Sequence, residues 1–210
     1  MKEQEKVFSD IYTNKFWKSG NSVSGAGSEK EATEVLIEKL KVFFEGHNIK
    51  SLLDVPCGDL NWVIDLVDGL KLNYIGCDIV QGLIDENRQT FKEDKNYSFH
   101  KLDLIEDELP LADFLLVRDC LVHLPNELVL KAIKNIANSN VKFVGITTFT
   151  NREENLDIPL GHWRTLNLTQ QPFNLPVPII TINEDCKYDF PNYNDKSIGI
   201  WKIQQLINFK

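Results

Sequence analysis

The sequence predicts an α/β fold: a doubly wound, mostly parallel seven-stranded sheet with an antiparallel edge strand. Two observations lead there. Between residues 51 and 149, near-continuous apolar runs alternate with helical segments, the pattern of parallel strands buried on both faces. Further on, a pair of strand-like runs is joined by a polar turn, the pattern of an antiparallel hairpin. A chain of 210 residues, 42% hydrophobic and 26% charged, suffices for a single domain with a substantial core, and residues 1–210 are read as one domain.

Residues 1–28 are mixed in character and receive no regular element; they hold the aromatic-rich IYTNKFWKSG and the small-residue stretch NSVSGAGS. A helix is predicted from Ser28, an N-cap with Glu31 as its capping-box partner. Val35, Leu36, Leu40 and Phe43 or Phe44 recur at helical spacing, and Gly46 ends the run. Strands are predicted at 51–55, 72–79, 97–104, 112–119 and 141–149. Helices are predicted at about 60–69, 80–94 and 125–138, the last with Pro125 in its first turn. Past residue 150 the chain turns rich in proline and asparagine; residues 150–176 are too long for a simple connection and are read as a substrate loop. PIITINEDC (178–186) and KSIGIWKIQQ (196–205) are the closing strand pair.

In an open parallel sheet, the ligand crevice lies beyond the carboxyl ends of the strands, where the connections reverse direction. Consecutive predicted strands end there in Asp54, Asp78, Asp103, and Arg118 with Asp119. The turn after the first strand, VPCGD, has only Gly58 for close backbone approach, and Pro56 brings no N–H. Such a turn is poor in the donors that a pyrophosphate requires, and neither GxxxxGK[ST] nor GxGxxG is present. That argues against a P-loop and against a dinucleotide-dependent oxidoreductase. Asp54 and Asp59 suit a ligand with a positive group, and Asp78, 20 residues after Gly58, is spaced to accept from ribose hydroxyls. S-adenosylmethionine is a nucleoside with a cation and no phosphate, and it meets these conditions.

LLDVPCGD, YIGCDIV, FHKLDL and VRDCLVHLP, in that order, resemble the motif series of class I S-adenosylmethionine-dependent methyltransferases over residues 51 to about 150. Pro56 departs from the usual glycine-rich first motif. The chain is similar over more of its length to a bacterial group carrying SGxGS, DxPCGDxxW, RDxLxHLP and GxWRxLNL followed by PF. Here these stretches run from Ser24 to Ser28, Asp54 to Trp62, Arg118 to Pro125, and Gly161 to Leu168 with Pro172 and Phe173. The resemblance implies a Rossmann-like methyltransferase fold, S-adenosylmethionine as cofactor, and a sugar or other precursor of surface polysaccharide as acceptor. It also implies a cofactor site. Asp54, Pro56 and Gly58 would line the methionine end, Asp78 and Ile79 the ribose, and Asp103 and Leu104 the adenine edge. Arg118 and Asp119 would lie near the transferred methyl, and Trp17, Ser24 and Gly25 would fold over the amino acid end from a cap of residues 1–28.

Methyl transfer is an in-line displacement, so positioning does most of the work, and a hydroxyl acceptor needs a group to take its proton. His123, Asp119 and His162 are the candidate bases, and the sequence does not choose among them. Arg118 and Arg164 carry forks suited to carboxylates and phosphates; with His123, His162 and Trp163 they form the expected acceptor contacts, and an anionic small molecule is the expected acceptor. A net charge of −8 argues against nucleic acid, as does the lack of an Asn/Asp-Pro-Pro-aromatic tetrad after the fourth strand. A nucleic-acid methyltransferase and a catalytically silent S-adenosylmethionine-binding protein are the alternatives. No apolar run reaches 18 residues and MKEQEKVFSDIY has no apolar signal core, so no membrane span and a cytoplasmic location are expected. Cys57, Cys77, Cys120 and Cys186 show no CxxC spacing and are expected to be reduced thiols, with no metal site. The oligomeric state stays open.

Overall fold

Apolar runs facing both ways build the sheet and determine what covers it. The computed structural model describes residues 2–20, 22–187 and 192–209. In chain order the elements are α1 (Glu3–Thr13), α2 (Lys30–Gly46), β1 (Ser51–Asp54), α3 (Val63–Leu70), β2 (Asn73–Asp78) and α4 (Gln81–Thr90). They continue with β3 (Tyr97–Lys101), β4 (Phe114–Val117), α5 (Asn126–Asn138), β5 (Phe143–Phe149), β6 (Ile180–Asn183) and β7 (Lys196–Lys202). The strands form one sheet in the order β3-β2-β1-β4-β5-β7-β6. Successive strand side chains point to opposite layers. Leu53, Leu115 and Val117 join a core with Val129, Ala132, Ile133 and Ile136 of α5. Leu52, Phe114 and Leu116 join the other with Leu36, Leu40 and Phe44 of α2 and Leu66 of α3.

The doubly wound α/β fold is the predicted one, with four differences. A helix, α1, occupies the segment read as irregular. Its Val7/Ile11 and Phe8/Tyr12 pairs have the i,i+4 spacing of a helix face. Ser28 does not cap α2: residues 26–28 form a 3₁₀ turn, Glu29 takes the N-cap place, and no side chain caps it. Strands β3 and β4 stop short of Asp103 and Arg118, which therefore sit in the loops just beyond the strand ends. The antiparallel strand is one place in from the edge, since β7 pairs antiparallel with both β5 and β6, and β6 lies outermost. Part of the polar turn expected between these two strands, residues 188–191, lies outside the described residues. Among the described residues no helix is long and apolar enough to cross a membrane.

The long segment after β5 is anchored rather than loose. Leu166, Leu168, Phe173 and Leu175 are buried in the α5-side core, and Phe149 N–H donates to the Leu166 carbonyl at 2.8 Å. The Trp201 indole N–H of β7 reaches the Pro176 carbonyl at 2.6 Å.

Candidate active site

Strand β1 is the switch point of the sheet: the chain steps from it to β2 on one side, and the later strand β4 lies on the other. A cleft opens there, at the carboxyl ends of the strands. It is lined by the β1 turn, the ends of β2, β3 and β4, the inner face of α1, and residues of the 17–28 segment.

The turn after β1 spends its backbone donors internally. Val55 N–H bonds the Leu116 carbonyl and Cys57 N–H the Cys77 carbonyl, at 2.9 and 2.8 Å. Gly58 N–H goes to Asp78 at 3.2 Å and Asp59 N–H to the Ser24 hydroxyl at 3.4 Å. Pro56 has no N–H to offer, and its bond to Val55 is cis. No nest of unpaired N–H groups remains for a phosphate. Gly58 has a φ of 54°, and a Cβ there would run into the Ser24 hydroxyl. Its close approach is to the 22–28 segment.

Two buried carboxyl groups flank this turn. Asp54 accepts from the Tyr74 hydroxyl at 2.7 Å; burial pushes its pKa up to about 7, against the opposing pull of that hydrogen bond and of Arg118. Asp78 accepts from the N–H groups of Gly58 and Val80, at 3.2 and 2.9 Å. Burial lifts it to about 6 even so. Asp103, beyond β3, accepts from Ile105 N–H at 3.0 Å and from the side chains of Gln4 and Lys2 at 3.2 and 3.3 Å. Ile79 and Leu104 line the cleft beside these carboxylates.

Asp59, expected to face a cationic ligand, lines the cleft and also ties down the 22–28 strap. It accepts from the Ser22 and Ser24 hydroxyls at 3.2 and 3.1 Å and from Val23 N–H at 2.8 Å. The far end of the strap is held by Arg118, which donates to the Gly27 carbonyl at 2.8 Å. A Cβ on Gly27 would lie 3.1 Å from Asp119 and 3.4 Å from the Lys196 ammonium, so glycine leaves room for the strap to lie against this ion pair. Ser24 lines the cleft; Gly25, at φ 97°, lies against the Trp17 backbone and does not.

At the β4 end the charges are paired. The Arg118 fork holds Glu184 at 3.2 and 2.7 Å, stacks over Trp62 at 5.0 Å, and lies 3.4 Å from Asp119. Lys196 of β7 bonds Asp119 at 2.6 Å and lies 3.4 Å from Glu184. Burial acts to raise the Asp119 carboxyl, but Lys196 and Arg118 outweigh it and hold the group well below the usual carboxylate range. A carboxylate so stabilised is a weak base.

His123 is differently placed. Its Nδ1 lies 2.9 Å from the His162 carbonyl. A carbonyl only accepts, so Nδ1 carries the proton and Nε2 the lone pair. Trp17 stacks on the ring at 4.3 Å, and both residues line the cleft. Burial holds the imidazole below the usual histidine pKa, so it is neutral at pH 7. The strand ends and the 17–28 segment thus bring together Trp17, Ser24, Asp54, Pro56, Gly58, Asp78, Ile79, Asp103, Leu104, Arg118, Asp119 and His123.

Three expected acceptor contacts lie elsewhere. The His162 side chain is exposed outside the cleft, and only its backbone touches His123. Trp163 packs edge-on against Phe149 and Tyr193. Arg164 is buried and donates to the Leu124 carbonyl at 2.6 Å and to Asn126 at 2.8 Å, pinning the long loop to the start of α5. The sequence reading missed Gln4, Phe8, Ile11 and Tyr12 of α1, which form a wall of the cleft, as well as Glu184 and Lys196, which neutralise Arg118 and Asp119.

No protein-family model and no curated protein matches the chain. Solved structures do. The S-adenosylmethionine-dependent methyltransferase SibL in its apo form aligns with a TM-score of 0.58 at 16% identity, over 80% of this chain and 55% of SibL. The fold is the Rossmann-like methyltransferase fold. Magnesium protoporphyrin IX methyltransferase (ChlM) from Synechocystis PCC 6803, with bound SAM, aligns with a TM-score of 0.55 at 14% identity, over 75% and 81% of the two chains. Human N-acetylserotonin methyltransferase in complex with SAM aligns with a TM-score of 0.51 at 15% identity, over 70% of this chain and 42% of that one.

Proposed function

We propose that this protein binds S-adenosylmethionine in the strand-end cleft and transfers its methyl group to a hydroxyl of a small molecule. The observation that carries the reading is the β1 turn: its N–H groups are spent within the fold, and it sits between the buried carboxyl groups of Asp54 and Asp78. A phosphate finds no donors there, whereas a cationic nucleoside finds acceptors. The shared fold supports the same conclusion, since the aligned ChlM and human structures hold SAM.

The residues present fit the cofactor. Asp78 is held by backbone donors of the β1 and β2 turns and lines the cleft, where its carboxylate can accept ribose hydroxyls. Asp103 and Leu104 would hold the adenine side, and Asp54 would face the charged methionine end. When bound, the cofactor supplies an electrophilic methyl on a sulfonium. The protein then holds the acceptor hydroxyl in line with it, and Nε2 of His123 takes the hydroxyl proton. Trp17 and the His162 carbonyl keep the imidazole in register. Residues 1–28 act as a cap, and residues 150–176 act through the His162 backbone. The motif resemblance supports a surface-polysaccharide precursor as the acceptor, a class that the lining of the cleft narrows to uncharged members with an apolar face.

Isothermal titration with S-adenosylhomocysteine tests the core of this reading. Binding is expected, and no binding at millimolar ligand, roughly −4 kcal/mol of affinity, would remove it. Transfer of labelled methyl to an extract of small molecules separates an enzyme from a silent binder.

A further inference from the structure

We infer that the cleft takes an uncharged acceptor with an apolar face and rejects phosphorylated or carboxylated molecules; this rests on the methyl-transfer reading above. Charge pairing and wall chemistry both point there. Among the described residues that line the cleft, the carboxyl groups are Asp54, Asp59, Asp78, Asp103 and Asp119, and the one permanent cation is Arg118. Its fork, the feature that would take a phosphate or carboxylate at two points, already holds Glu184. Lys196, behind the lining, is spent on Asp119 and Glu184. Arg118, Lys196, Asp119 and Glu184 sum to no net charge and Lys2 offsets Asp103, so Asp59 and Asp78, joined by Asp54 where it is ionised, give the cleft its sign. An anion entering it would lose hydration and meet no cation in the described lining whose charge is not already paired. The methyl donor bears a net positive charge and is matched to the same field.

The walls complete the case. Asp78 and Asp103 mark the nucleoside end, which leaves the His123 end for the acceptor. Phe8 and Ile11 of α1, Trp17 and Leu124 line the cleft, and the Phe8 and Trp17 rings lie 6.0 Å apart at 55°. Such surfaces hold a flat or apolar body and leave its hydroxyl to His123.

The experiment incubates the full chain with methyl-labelled S-adenosylmethionine and a small-molecule extract. A cation exchanger removes the donor, and the product is passed over an anion exchanger at about pH 8, where phosphates and carboxylates are ionised. Label that flows through the anion exchanger and is retained on a reversed-phase column is the expected result. Label held on the anion exchanger, or passing both columns unretained as a free sugar would, with S-adenosylhomocysteine binding intact, overturns this inference and leaves methyl transfer standing. No labelled product in either fraction overturns both. In the flow-through assay, Phe8→Ser is expected to raise the acceptor KM without changing S-adenosylhomocysteine affinity; an unchanged KM would remove α1 from the acceptor wall and overturn the apolar half of the proposal.

Discussion

Because the His162 carbonyl can only accept, the His123 lone pair stays on Nε2, and burial keeps that nitrogen unprotonated to lower pH than a solvated imidazole. His123→Gln is therefore expected to lower kcat by roughly 10²–10⁴-fold while S-adenosylhomocysteine affinity stays as it is. The acid limb of the wild-type rate profile should fall below the ordinary histidine range, which a pH series of initial rates measures. Asp78→Asn keeps the shape of the side chain and removes the charge. It is expected to weaken S-adenosylhomocysteine binding by roughly 1.5–3 kcal/mol, the worth of hydrogen bonds to an ionised group; an unaltered isotherm would refute the ribose assignment. These strand-end carboxylates were legible because polar residues closing four successive apolar runs have a single topological meaning. The fate of Arg118 was not legible, since its partner Glu184 lies 66 positions further along the chain.

At the scale of elements, the 22–28 strap is stapled at one end by Asp59 and at the other by Arg118, which Glu184 in turn fixes. Glu184→Ala leaves a buried guanidinium short of its partner and is expected to cost roughly 3–5 kcal/mol of stability, read from denaturant midpoints. Asp59→Ala should loosen the strap without touching the sheet, seen as faster hydrogen exchange confined to residues 22–28. Helix α1 could have been read from Val7/Ile11 and Phe8/Tyr12, but its Lys and Glu density masks an apolar stripe that is short and only half-buried. Ser28 misled for a different reason. It has the chemistry of a cap, yet the preceding residues turn as a 3₁₀ segment and put Glu29 in that place.

For the molecule as a whole, the raised carboxyl groups make stability depend on pH. Asp54 and Asp78 hold protons up to about 7 and about 6, against an ordinary value of 3.8. Their contribution is complete below the ordinary value and is lost as pH rises through the folded ones. The melting temperature of the ligand-free protein should accordingly fall between about pH 4 and about pH 7 on their account. A bound cation and ribose favour the ionised forms, so binding near pH 6 should release protons. Titrations in buffers of different ionisation enthalpy measure that release. The alternation of strands and helices foretold the sheet, but not that β7 would insert between β5 and β6, because antiparallel order leaves no periodic trace. That insertion has a consequence in time. A ribosome delivers the strap long before it delivers Glu184 and Lys196, and domains form as their sequence emerges. The nascent chain can pair its parallel strands early and Asp59 can hold one end of the strap, but Arg118 at the other end is fixed only when the β6–β7 hairpin forms. Closure of the strap over the cleft thus waits for the β6–β7 hairpin, and a chain cut before Glu184 would leave Arg118 without the partner that fixes it.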